Sequence, residues 1–172
     1  MFALRRRRHI FHLPIFIALA LALPGATSSS PSPLTCMNTS SISLGYVIYY
    51  VEDVGASLAF YEKAFGLTRR FYHDEPGKAY GELETGAARL AFASITLARE
   101  HVKQDLTLAA PDRPPLAMEI AFVTDDVPAR YRQAIAAGAS AVSAPEAKPW
   151  GQTVAYVRDR DGHLVELCTA LP

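Results

Sequence analysis

Apolar and polar positions follow the same order twice along this chain. Tyr46 to Val51 is a run of β-branched and aromatic residues closed by the acidic turn Glu52-Asp53, with Val54 next. Glu119 to Val123 repeats the run and closes on Asp125-Asp126, with Val127 next. Runs of this kind, bounded by turn residues, predict strands. After the first, Leu58, Tyr61 and Phe65 recur at the spacing of one helix face, with Ser57 as the expected N-cap and Gly66 as the stop. After the second, Pro128 suits a first helical turn, and the run from Ala129 to Ala137 stops at Gly138.

The likeness continues beyond the helices. In the first half, Leu67 to Tyr72, Ala79 to Leu83 and Arg89 to Ala93 read as strands separated by Pro76-Gly77 and Thr85-Gly86. In the second, Ala141 to Ser143, Gln152 to Arg158 and His163 to Thr169 do the same, with Asp161-Gly162 as the last turn. Each half is therefore β-α-β-β-β, and one half alone leaves a sheet face bare. The expected organisation is one domain over 44–172: module one at 45–96, a linker at 97–115 marked by Pro111, Pro114 and Pro115, and module two at 116–171.

Residues 1–43 read as an extension. Arg5 to Arg8 precede an apolar run from Ile10 to Leu23, broken at His12 and Pro14, and Ala26-Thr27-Ser28 offers a small-x-small cleavage site. That is the pattern of a secretory signal peptide, and the run is short for a membrane span. Met37 opens a short polar lead into the first strand; a start there makes the protein cytoplasmic, whereas use of the upstream segment exports it. Seventeen basic residues balance 17 acidic ones, so no net field draws the chain to nucleic acid or anionic lipid. Cys36 and Cys168 read as two unpaired thiols.

Two stretches carry a resemblance. Val51-Glu52-Asp53-Val54, Phe60-Tyr61 and Phe65-Gly66-Leu67 resemble the opening motif of the vicinal oxygen chelate superfamily, and Asp159-Arg160-Asp161-Gly162 through Glu166-Leu167 resembles its closing motif, with Arg160 where Pro is usual. That superfamily includes glyoxalase I, extradiol dioxygenases, fosfomycin-resistance enzymes and bleomycin-binding proteins. The resemblance spans Gly45 to Leu171. It implies an α+β fold in which two paired βαβββ modules form a curved, partly closed mixed sheet around a central cavity. It also implies a small-molecule ligand or substrate, and it is compatible with a homodimer.

In metal-using relatives, four inward strand positions supply His and Glu ligands. Carried over, these positions are Tyr46, Ala91, Glu119 and Glu166. Two carboxylates without imidazole suit Ni²⁺, Zn²⁺ or iron poorly and hold Mg²⁺ or Mn²⁺ only loosely. His73, His101 and His163 are expected on exposed turns or in the linker, and the odd spacing of His163 and Glu166 puts them on opposite sheet faces. Glu119 and Glu166 are the catalytic candidates, because two converging carboxylates raise one pKa and create an acid/base group; the plain alternative is a solvated face. Trp150 and Gln152 on their loop, with Tyr46, Tyr80 and Tyr156, are the ligand-binding candidates. Two functions follow: a lyase or isomerase of glyoxalase type, or a metal-free binding protein of bleomycin-resistance type.

Overall fold

The computed structural model describes residues 42–172. The signal-like segment, Cys36 and the Met37 start lie outside the described residues. The elements are β1 (Tyr46–Val51), α1 (Val54–Phe65), β2 (Thr68–His73), β3 (Tyr80–Glu84), β4 (Arg89–Ser94), α2 (Ile95–Val102), β5 (Glu119–Val123), α3 (Val127–Ala137), β6 (Ser140–Ala147), β7 (Thr153–Arg158) and β8 (Leu164–Cys168). No described helix is long and apolar enough to cross a membrane.

The repeat is real in three dimensions. One four-stranded sheet has the order β1-β4-β3-β2 and the other β5-β8-β7-β6, and in each the first strand runs parallel to the last of its module. The architecture is α+β with two mixed sheets that are not closed into one. The registers correspond: Tyr46 faces Arg89 and Ile48 faces Ala91, while Glu119 faces Leu164 and Ala121 faces Glu166. Tyr46 thus matches Glu119, and Ala91 matches Glu166, as the sequence alignment of the two halves predicts.

Each sheet turns one face towards a helix, and α1 and α3 pack against each other. Leu58, Tyr61 and Leu83 meet Val157 and Val165 in one continuous core in which all five are fully buried. Phe122 of β5 reaches both Tyr61 and Phe65 of α1, at ring-centroid distances of 6.4 and 5.1 Å. Apolar burial across the modules, the dominant favourable contribution to folding, therefore joins them.

Three local expectations change. Asp53, not Ser57, caps α1: its carboxylate accepts from the Ala56 amide at 2.9 Å. Ser57 is buried inside the helix's first turn and is spent on a contact with the other module. The span read as linker contains most of α2, capped by Ser94 and closed by Lys103 in the left-handed conformation. This short helix buries only Ile95 and Ala98, which is too little apolar patterning to read in advance. β6 runs past Ser143 to Ala147 because its pairing with β7 shifts register twice and tolerates Pro145 on the sheet's outer strand.

Candidate functional site

In the second module, alternation decides what faces outward. Ile120 and Phe122, Val165 and Leu167, and Ala155 and Val157 all enter the core. Glu119, Glu166 and Tyr156 therefore lie on the opposite sheet face, away from the helices. Tyr156 stands directly across the ladder from Glu166 and donates its phenol to that carboxylate at 3.2 Å. Glu119 is exposed, yet local desolvation, then the adjacent Glu166 carboxyl, push its pKa upward. Burial and the same two carboxylates push Tyr156 to about 12, and they also raise the Cys168 thiol. The face carries a carboxyl pair in which Glu119 holds its proton more tightly than an isolated glutamate does.

The first module is different. Tyr46 is half exposed, with the Arg89 guanidinium 5.7 Å from its ring centre, and Ala91 is fully buried. The carboxylate missing at position 91 stands on the neighbouring strand as Glu82, its cross-strand partner. Glu82 accepts from Tyr80 at 3.1 Å and pairs with Arg89 at 3.5 Å and Arg70 at 3.7 Å. Burial, then Glu82, push Tyr80 to about 12. Sequence reasoning passed over Glu82, although its strand alternates Tyr80, Glu82 and Glu84 with buried Gly81 and Leu83. That alternation was the available signal.

Trp150 is exposed, and its indole N–H donates to Gln152 at 2.8 Å. Gln152 in turn donates to the Thr169 carbonyl at 2.6 Å. These two residues hold each other and the C-terminal strand end, so the Gln152 amide is largely engaged within the chain.

His163 departs from expectation. His73 and His101 are exposed, but His163 is buried. Its ring stacks on Tyr49 with centroids 3.9 Å apart and planes 2° from parallel, and Nδ1 lies 2.9 Å from the Asp159 carboxylate. Since a carboxylate only accepts, Nδ1 carries the proton. A turn histidine is drawn inward here because a buried acceptor and an aromatic face await it. As the spacing predicts, it shares nothing with Glu166.

Asp159, Asp161 and His163 bring potential metal-ligand atoms within 4.8 Å of one another. Their hydrogen bonds are already committed. Asp159 accepts the amides of Asp161 and His163, the Tyr61 phenol at 2.9 Å and the His163 ring, while Asp161 accepts the Ser57 hydroxyl at 2.5 Å. The cluster is a polar bolt between α1 and the β7–β8 turn. Burial raises the Asp161 pKa, partly offset by the Ser57 hydrogen bond.

The expected ligand-binding residues do not line the cavity of about 440 Å³ found where the modules meet. Phe65, Leu67 and Arg130 do, together with the β5 residues from Ala121 to Thr124.

Residues 43–167, both modules entire but for the last strand's final residue, match the Glyoxalase/Bleomycin resistance protein/Dioxygenase superfamily. The chain belongs to that superfamily. Solved structures agree on the fold of this superfamily member. A glyoxalase-related enzyme from Fulvimarina pelagi is 24% identical with a TM-score of 0.65, over 74% of this chain and 88% of that one. A glyoxalase/bleomycin resistance protein/dioxygenase family enzyme from Burkholderia phytofirmans PsJN is 22% identical with a TM-score of 0.57, over 76% and 100%. TioX from Micromonospora sp. ML1 is 22% identical with a TM-score of 0.56, over 75% and 99%. No curated protein matches the chain.

The superfamily's divalent metal fits these residues poorly. Tyr46 and Ala91 provide no strong ligand, Glu82 is tied to two arginines, and the remaining pair, Glu119 and Glu166, has no imidazole beside it. A transition metal is held best by imidazole and thiolate donors, and two carboxylates alone are a weak set.

Proposed function

We propose that this superfamily member binds a small molecule on the outer sheet face of its second module, with Glu119 and Glu166 as a proton-sharing pair. The reaction class is proton transfer of the lyase or isomerase type, with Glu119 as the group that gives or takes the proton and Glu166 as the base beside it. Tyr156 steadies Glu166 by donating its one hydroxyl proton to that carboxylate. One observation carries this reading: Glu119 and Glu166 share the sheet face away from the helices, with Tyr156 donating to Glu166 at 3.2 Å, and local desolvation, then Glu166, raise the Glu119 pKa. A carboxyl pair tuned in this way does acid/base work without the transition metal that the donor set suits poorly.

The test has two parts. Carbon-13 NMR of the glutamate carboxyls should show Glu119 titrating above its ordinary 4.5 and returning towards it in Glu166→Gln. In heavy water, a panel of small carbonyl compounds should include one whose carbon next to the carbonyl exchanges, with exchange lost in Glu119→Gln. An ordinary Glu119 titration and no exchange across the panel would overturn the reading. So would stoichiometric Ni²⁺, Zn²⁺, Mn²⁺ or Mg²⁺ binding that depends on Glu166. Binding without exchange favours the second reading, ligand sequestration, which the exposed aromatic rings of Tyr46, Phe71 and Trp150 support.

A further inference from the structure

We propose that the seam between the two modules is a separate binding site for a small amphiphilic anion, a carboxylate with an apolar body. The cavity of about 440 Å³ is lined by the apolar side chains of Phe65, Leu67 and Phe122 and by Arg130. That volume is in the range of sites that hold a small ligand. Glu119, Glu166 and Tyr156 do not border it.

The polar groups presented to this space are the amides and carbonyls of a free strand edge, a threonine hydroxyl and a guanidinium. β5 is the outer strand of its sheet, so one of its edges pairs with no strand among the described residues. The Thr124 amide donates to the Cys168 carbonyl at 2.8 Å, towards β8. Alternation along the strand then sends the backbone groups of Ala121 and Val123 to the free edge, beside the cavity. The Thr124 hydroxyl accepts from the Asp126 amide at 3.3 Å, and its own hydrogen remains to donate.

Arg130 decides the sign of the ligand. Its guanidinium donates to the Gln133 side chain at 2.9 Å, and among the described residues no carboxylate pairs with it. Arg99, Arg113, Arg132 and Arg160 likewise pair with no carboxylate among the described residues, but Arg130 is the arginine that lines this cavity. A guanidinium without a carboxylate partner in the lining of a largely apolar cavity matches a carboxylate head, which it can meet with two parallel N–H bonds. Edge amides and a hydroxyl beside it complete the donor set.

Decanoate is the probe, with decan-1-ol as the neutral control, titrated into the full chain by calorimetry and by ¹⁵N NMR. Decanoate should bind once per chain and about tenfold or more tighter than the alcohol. It should shift the amides of Ala121, Val123 and Arg130. Arg130→Gln should bring decanoate down to the alcohol's affinity, with the melting curve unchanged because Arg130 is exposed; Arg130→Lys should retain part of the preference. Absence of binding, equal binding of acid and alcohol, wild-type affinity in Arg130→Gln, or amide shifts confined to the outer sheet face would each overturn the proposal.

Discussion

The Tyr61 phenol on α1 donates to the Asp159 carboxylate on the β7–β8 turn at 2.9 Å, with both side chains fully buried and 98 residues apart in sequence. Tyr49, on β1, lies close to the same carboxylate, yet its buried hydroxyl has no hydrogen-bond partner. Two buried tyrosines therefore sit in opposite circumstances. Tyr61→Phe takes a donor from a buried carboxylate and should destabilise the protein by about 1.5–3 kcal/mol. Tyr49→Phe deletes an unsatisfied hydroxyl and should be neutral or stabilising by up to about 1 kcal/mol. Urea unfolding with unchanged slope is the measurement, and equal losses in both variants would contradict the assignment of the bolt.

Stability should carry the signature of Glu119. Its pKa is raised in the folded state, so the native protein binds that proton more tightly than the unfolded chain. The resulting stability is fully present below the ordinary 4.5 and is lost as pH rises through the raised value. Glu119→Gln mimics the protonated form at every pH. It should match the wild type at about pH 3.5 and be more stable at about pH 8, by well under about 1 kcal/mol because the side chain is exposed. Thermal melts at the two pH values read this; a gain of equal size at both means the carboxyl is not perturbed.

Two turn glycines with nearly the same backbone should respond differently to alanine. Gly162 has φ +94° and Gly86 has φ +95°. A Cβ at Gly86 meets open space, whereas at Gly162 it runs into the backbone at Ala110 and Pro111, 2.6 Å from the Ala110 oxygen. Gly86→Ala should cost about 1 kcal/mol, the strain of the left-handed region alone. Gly162→Ala should cost about 3 kcal/mol or more, because the 106–116 segment must also move off the turn. Comparable midpoints for the two variants in denaturant would show that this segment is not seated on the turn.

Much of this protein is legible in the order of its residues. The doubled pattern of β-branched runs, helix stops at Gly66 and Gly138, and turn glycines determined two βαβββ modules, because strand and helix periods and left-handed turn positions are local properties of the chain. The same local logic set His163 apart from Glu166, while the family resemblance paired Glu119 with Glu166. Contacts between segments far apart in sequence were another matter. Only the folded chain showed that Ser57 leaves its helix cap to meet Asp161, that His163 is drawn inward by Asp159 and Tyr49, and that Glu82 stands across from Ala91. Only there do Arg130 and the outer strand β5 line one cavity. Burial and pairing at these positions depend on which surfaces the two modules press together, and no periodicity along the chain encodes that choice.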